Sequence, residues 1–403
     1  MVHDHTLHDP ARGLAVASRA AVPPFHVMDL LAAASTRQRT HGDVLNMVAG
    51  QPSTPAPRPV RDRAKQALDN DVLGYTVSLG IHELREAVCG HYRRVYDLDV
   101  SADEVVVTTG SSGGFLLGFL AAFNPGDRVA MARPGYPCYR NVLTALGCEV
   151  VELPCGPASR FQPTVEMLDS LPRPVQGLVV ASPANPTGTM VAPDELAALA
   201  TWCEDHGVQL ISDEIYHGIE YAEPKMHSCA WSTSREAVVY NSFSKYFSMT
   251  GWRLGWMLVP ERLRRAVDVL TGNFTICPPA LSQHAGLAAF TPESYAEADS
   301  HVARYAKNRA LLLEGLPRLG ITELAPADGA FYVYADVSHL TVDSMDFCRR
   351  LLADTGVATA PGVDFDTESG DRFVRLSFAG ATDEVEEALD RLKAWLPGPP
   401  RAS

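Results

Sequence analysis

Neither a paired-cysteine motif nor a long apolar run occurs in this chain of 403 residues. Its eight cysteines, at positions 89, 138, 148, 155, 203, 229, 277 and 348, are scattered without a C-x-x-C pair. That argues against a disulfide framework or a thiolate zinc site and leaves reduced thiols as the default. No apolar stretch is long enough to cross a bilayer. Basic charge is in short supply: Lys and Arg number 34 against 48 Asp and Glu, for a net charge of −14 and a pI near 5.4. No positive field is available to draw in a nucleic acid or a membrane surface, although a local basic pocket for a small anion stays open. The N-terminal Met1-Val2-His3-Asp4-His5-Thr6-Leu7-His8 has neither a basic head followed by an apolar stretch nor a twin arginine, so a cytoplasmic protein is expected. Its histidines lack a second ligand cluster and are read as a disordered tip, with no metal site. There is no internal repeat, and no low-complexity tract apart from the tail Pro397-Gly398-Pro399-Pro400.

What is present is ordinary globular material, 46% hydrophobic and 20% charged, in a chain long enough for two domains and a large core. Residues 1–20 read as a loose arm, and Asp29-Leu30-Leu31 as a capped helix start. The stretch 46–52 reads as a short strand that breaks at Gly50, the proline-rich 53–59 as a loop, and 73–80 as a loop bracketed by glycines. Leu84, Val88 and Tyr92 recur on one face of a helix over 81–96. From there strand and helix alternate. Strands are expected at 105–108, 128–131, 149–153, 177–181, 209–213, 237–240 and 254–259, with helices such as 115–123 and 193–206 between them. Near-continuous apolar strands separated by helices imply an α/β fold, with a mostly parallel seven-stranded sheet covered on both faces. Helices are expected at 262–270, 280–289 and 303–319. The runs 329–335, 356–359 and 373–378 read as a second, smaller sheet, closed by an amphipathic helix over 383–396. The division expected is an N-terminal arm and helix over 1–45, packing with the small domain. A large domain over 46–290 and a small α+β domain over 291–403 follow.

The chemistry centres on Asn241-Ser242-Phe243-Ser244-Lys245-Tyr246-Phe247 and Thr250-Gly251-Trp252-Arg253. Lys245 lies in a turn between two apolar strands and is wedged among aromatics. A lysine drawn into such surroundings loses its charge easily and becomes a nucleophilic amine. The nearby Ser242, Ser244 and Arg253 are what a bound phosphate needs. A carbonyl-reactive amine beside a phosphate cradle points to pyridoxal 5'-phosphate (PLP) on a Schiff-base lysine. Thr109-Gly110-Ser111-Ser112-Gly113-Gly114 follows a strand and opens a helix, where backbone N–H groups can approach an anion; a plain glycine-serine turn is the competing reading. Asp213 ends an apolar strand, where α/β sheets bind ligands. Its charge needs a cation such as a pyridinium nitrogen, unless it simply caps the next segment. Asn185, in Ser182-Pro183-Ala184-Asn185-Pro186-Thr187-Gly188, and Tyr216 can donate to a phenolic oxygen, against readings as a turn and a packed aromatic. Tyr136 offers a ring to stack on a pyridine. Arg375 lies mid-strand between Val374 and Leu376 and must pair with something, either a bidentate carboxylate or a structural ion pair.

With these residues assembled, the chain resembles the class I/II aminotransferases, PLP enzymes of fold type I, over nearly its whole length. The block from Ser242-Phe243-Ser244-Lys245 through Gly251-Trp252-Arg253-Leu254-Gly255 is the most specific signature. Asn185-Pro186-Thr187-Gly188 and Asp213-Glu214-Ile215-Tyr216 stand in the family's order and spacing. The resemblance implies a ping-pong exchange of an amino group between an L-amino acid and a 2-oxo acid. Lys245 would carry the Schiff base and then move the proton, and Asp213 would keep the pyridine nitrogen protonated. Asn185 and Tyr216 would bind the phenolic oxygen. Ser111, Ser112, Ser242, Ser244 and Arg253 would bind the phosphate, and Tyr136 would stack on the ring. Arg375 and the backbone at Gly50 would clamp the substrate carboxylate. Tyr75 resembles the tyrosine that reaches the phosphate across a homodimer interface. Because Ser111 and Ser112 are neutral, a neutral donor such as alanine is slightly favoured.

Two rivals remain. A β-lyase or cyclising enzyme on the same fold would share Lys245, Asp213 and Arg375. A non-enzymatic PLP-sensing regulator would need a DNA-binding domain; it is not expected, because the aminotransferase-like part starts within the first few dozen residues, leaving no room for a winged helix, and the charge is acidic.

Overall fold

Seven short, largely apolar runs pair into one sheet: Val105–Thr108, Arg128–Arg133, Glu149–Pro154, Gly177–Ala181, Gln209–Asp213, Val238–Ser242 and Gly255–Leu258. The computed structural model describes residues 16–222 and 226–396. The histidine-rich N-terminus and the proline-rich tail lie outside the described residues. Numbered along the chain, the strands lie in the order first, seventh, sixth, fifth, fourth, second, third across the sheet. Gly255–Leu258 alone runs antiparallel to its neighbours. The link before it carries one 3-10 turn, Thr250–Trp252, and no crossover helix to bring the chain back parallel. Along each strand the side chains alternate between two cores. Val105, Val107, Leu178, Leu210 and Val239 enter one, while Val106, Val179, Ile211 and Val238 enter the other. Gln209–Asp213 is buried at every position, so its polar end, Ser212 and Asp213, is pushed into the protein by the strand itself.

The smaller unit carries an antiparallel sheet of Ala360–Pro361, Phe373–Ser377 and Tyr332–Asp336, covered by the helices Pro292–Arg318, Ser344–Thr355 and Thr382–Trp395. Its core takes in Val27, Leu30 and Ala34 from the helix His26–His41, beside Leu312, Val333 and Leu376.

Five local expectations are corrected. The first helix begins at His26, and Asp29 lies inside its first turn instead of capping it. The Asp364 carboxylate takes the capping place, accepting from the His26 and Val27 N–H groups at 2.9 and 2.7 Å. The proline-rich loop ends early, because Pro59 needs no N–H in the first turn of the helix Arg58–Asn70. The helix expected over 115–123 starts at Gly110, and that expected from 303 starts at Pro292 with Thr291 as its cap. The 356–359 run does not join the small sheet as one strand. Val357–Ala358 pairs in parallel with Leu45–Asn46, and only Ala360–Pro361 joins Phe373–Ser377. Among the described residues no helix is long and apolar enough to cross a membrane.

Candidate active site

A cavity of about 260 Å³ opens at the carboxyl edge of the large sheet, the place where α/β sheets hold ligands. Phe243 and Phe247 are buried on either side of Lys245, their rings packed with Phe290. These anchors turn Lys245 inward, and its ammonium donates to the Gly50 carbonyl at 2.7 Å. Burial pushes its pKa down to about 8; the charge of Arg375 adds to this and Asp213 opposes it. The amine is therefore within reach of its neutral, nucleophilic form.

Asp213 accepts from the Tyr139 hydroxyl and, at 3.2 Å, from the Ile215 N–H. The local contact is of the capping kind, but turns and no helix follow it. Burial drives the carboxyl pKa up to about 6, against the Tyr139 bond, the Ile215 N–H and the Lys245 charge. It is a buried acid short of a cation.

Arg375 is buried and sits between the Tyr332 and Phe365 rings, at 4.5 and 4.8 Å from their centroids. Its hydrogen bonds go to neutral oxygens, Asn185 Oδ1 at 2.8 Å and the Val48 carbonyl at 2.7 Å. Its Nε has no partner. The structural ion pair is thus replaced by a fork whose charge still lacks a carboxylate. Because Asn185 Oδ1 accepts from Arg375, the amide nitrogen is left to donate elsewhere. The Tyr216 hydroxyl shares a 2.6 Å bond with that of Tyr332.

The basic end of the cavity is built by close approach. Arg253 adopts a left-handed φ of 52°, and its guanidinium lies against Gly110, which has a φ of 66°. A Cβ at Gly110 would come within 2.6 Å of Arg253 Nη2, and the positive φ by itself favours glycine here. Ser111 and Ser112 in the first turn of the helix Gly110–Ala122 face the same cavity, with Ser244 and Thr250 beside them.

Most of the sequence-derived candidates therefore converge: Gly50, Ser111, Ser112, Tyr136, Asn185, Asp213, Tyr216, Ser244, Lys245, Arg253 and Arg375 all border the cavity. Ser242 does not. Its hydroxyl donates to the Leu254 carbonyl and accepts from the Ser244 N–H, so it shapes the lysine turn from behind. Tyr75 is 83% exposed and away from the cavity of this single chain. Sequence reasoning missed Tyr139, Tyr332 and the helix face of Val27, Met28 and Leu31. Tyr139 had a signal, since it stands three residues after Tyr136 on a helix that follows a strand. The other wall residues had none, because they arrive from distant elements. Phe25 also borders the cavity, edge-on to Tyr136 at 6.2 Å. Among the described residues, no group of three or more His, Cys, Asp or Glu is placed to hold a metal.

Comparison with known proteins bears on this geometry. Residues 42–392 match the family Aminotransferase class I and II. Valine–pyruvate aminotransferase of Mycobacterium tuberculosis is 65% identical over 95% of this chain and 98% of its own length. An aspartate aminotransferase of Sulfurisphaera tokodaii is 34% identical over 89% of this chain and 92% of its own. The crystal structure of an aminotransferase from M. tuberculosis superposes with a TM-score of 0.94 at 65% identity, covering 95% of this chain and 99% of that one. A nucleophilic lysine, a buried acid and a carboxylate-seeking arginine around one cavity are what amino-group exchange requires, and the kinship agrees: the chain belongs to the class I and II aminotransferases, enzymes that move an amino group between an amino acid and a 2-oxo acid.

Proposed function

We propose that this enzyme uses PLP and works by a ping-pong exchange in which a neutral aliphatic L-amino acid is the donor. The observation that carries the cofactor reading is the buried pair of Lys245, with its pKa near 8, and Asp213, with its pKa near 6, on one cavity. The donor set fits the cofactor. Asp213 lacks a cation, which a protonated pyridine nitrogen supplies. The glycine-backed Arg253 corner suits a phosphate. When bound, PLP supplies an aldehyde that takes the amino group and a ring that draws electrons from the substrate α-carbon.

This chain's residues then divide the work. Lys245 Nζ would hold the cofactor, and would afterwards take the proton from the substrate α-carbon and deliver it to the former aldehyde carbon, the 1,3-shift that amino-group exchange needs. Asp213 keeps the ring nitrogen protonated. The free Asn185 amide N–H and the Tyr216 hydroxyl donate to the phenolic oxygen, and the Tyr136 ring stacks. Ser111, Ser112, Ser244 and Arg253 take the phosphate, with Ser242 supporting their turn. Arg375 takes the substrate carboxylate beside Gly50, and the buried rings around it exclude water. A homodimer is part of this proposal, with Tyr75 reaching the phosphate of the partner's site. The exposed apolar side chains of Val72, Tyr75 and Val77 on one loop support it. So is a division into 1–45, 46–290 and 291–403, supported by the packing of Val27, Leu30 and Ala34 into the core of the small sheet. The eight free cysteines suit a reduced, cytoplasmic setting.

The donor class follows from the wall. Phe25, Val27, Met28, Leu31 and Ile215 present apolar surface to the cavity, and the phosphate turn offers no basic residue for a side-chain carboxylate. The valine named for the M. tuberculosis relative fits the same wall. Titrating amino acids one at a time into the holoenzyme tests both points. The visible cofactor band is expected to convert to the near-ultraviolet pyridoxamine band with valine or alanine and only weakly with aspartate. Release of ammonia and pyruvate with the visible band persisting would identify a lyase instead. Arg375→Lys is expected to raise the KM of every donor by about 10- to 100-fold, the worth of one lost charged hydrogen bond, with a smaller change in kcat; steady-state kinetics across donors checks it.

A further inference from the structure

We infer that Asp364 is a specificity-positioning residue: from the small unit it clasps the start of the first helix and so holds the apolar wall against which the donor side chain rests. This rests on the aliphatic-donor reading above.

The helix His26–His41 has no side-chain cap of its own, and Phe25 occupies the N-cap position. An uncapped first turn frays, and here that turn carries Val27 and Met28 with Phe25 just ahead of it. Asp364 reaches it from 338 residues away. Its two carboxylate oxygens accept separately from the His26 and Val27 N–H groups, at 2.9 and 2.7 Å. The carboxylate is itself buried and does not border the cavity. It acts only through what it holds.

The segment around Asp364 grips the other walls as well. Arg140 Nη2 donates to the Asp364 carbonyl at 3.1 Å, and the Gly135 N–H donates to the Phe365 carbonyl at 2.9 Å. Gly135 precedes Tyr136, the ring that meets Phe25 edge-on. The Phe365 ring lies 4.8 Å from the Arg375 guanidinium. Residues 364 and 365 thus join three parts of the cavity: the side-chain wall, the stacking tyrosine and the carboxylate fork. A donor whose carboxylate is held at Arg375 meets a wall whose distance from that fork is set by Asp364. Alanine, with a single methyl, extends least toward the wall, whereas valine and norvaline extend further and bury more apolar surface against it.

The test is a rapid-mixing half-reaction on the PLP-loaded enzyme, following loss of the visible band with alanine, valine and norvaline. Asparagine at 364 keeps one acceptor and turns an N–H donor toward the other backbone N–H. Asp364→Asn is expected to raise the half-saturating valine and norvaline concentrations about tenfold, with the maximal rate and the alanine reaction unchanged. Phe25→Ala should lose the same discrimination, and the double variant should lose no more than either alone, because both act through one wall. Equal losses on alanine and valine in Asp364→Asn would mean a general structural role and overturn the inference. So would additive losses in the double variant. If the wild-type enzyme favours valine over alanine and Asp364→Asn retains that preference, the positioning role alone fails. If the wild-type enzyme shows no such preference, the wall does not read the donor side chain and the inference alone fails; if it reacts with neither valine nor alanine, the aliphatic-donor reading fails and the inference with it.

Discussion

Lys245→Ala is expected to abolish transamination and to leave added PLP without the red-shifted band of a lysine-bound cofactor. The loss should be the largest of any single substitution. Moving the α-proton is by itself worth about 10²–10⁴-fold, and the covalent handle disappears as well. The side chain's stability signature runs the other way. In the folded apoenzyme burial has lowered the lysine pKa from 10.5 to about 8. Between those values the unfolded chain binds more protons than the folded one. This group's contribution to stability therefore rises as pH climbs through that window and is least favourable below it. The variant should lose that alkaline rise. Thermal melts of apoenzyme and variant from pH 7 to 10.5, run beside absorbance spectra with PLP, measure both effects. An unchanged cofactor band in Lys245→Ala would remove the lysine from its assigned role.

Asp213→Asn should be nearly as damaging to activity and, in the absence of cofactor, stabilising. Losing the carboxylate that keeps the ring nitrogen protonated should cost about 10²–10³-fold in kcat or more. The stability effect follows from the raised pKa, 3.8 to about 6, imposed by burial. Below 3.8 the acid is protonated in both states, and the folded state gains its full relative benefit. As pH rises through about 6 the folded state must accept a buried charge, and that benefit is lost. A shift of this size corresponds to about 3 kcal/mol as an upper figure. The nearby lysine offsets part of it. Asparagine cannot ionise, so the apo variant should melt higher than wild type at pH 7–8 and not at pH 4. Removing the carboxylate also removes the charge that raises the Lys245 pKa, so that amine should titrate lower in the variant. A variant that keeps kcat, or an apo form destabilised at neutral pH, would count against the assignment. Such a trade, with a catalytic group held at the expense of the fold, is the usual condition of a buried functional charge.

Much of this site could be read before any coordinate was known. Asp213, Asn185 and Lys245 each stand at or just after the end of a strand that the apolar runs announce. Sheet geometry places such ends on one edge, so three separate motifs had to converge. Arg375 was legible because a charge inside an apolar strand needs a reason. Ser242 shows the limit of the same reasoning. Its place in the motif was right, but whether its hydroxyl faced a ligand or the Leu254 carbonyl depended on how the strand end twists. Tyr332 and Asp364 could not be singled out, because neither differs locally from other strand tyrosines or turn aspartates.

The sequence alone determined the local matters: seven apolar strands with helices between most of them, the glycine-rich and lysine-bearing turns after the strands, and an acid without a neighbouring base. These follow from periodicities and steric rules that act within a few residues. Tertiary structure decided everything that required two distant segments to meet. Lys245 found the Gly50 carbonyl 195 residues away, Tyr216 found Tyr332 at a separation of 116, and the first helix found its cap in Asp364. The lowered lysine pKa, the raised aspartate pKa and the apolar wall are consequences of those meetings. The physical reason is that desolvation and Coulombic coupling depend on separation in space, which hydrophobic packing of the two cores sets and residue order does not reveal.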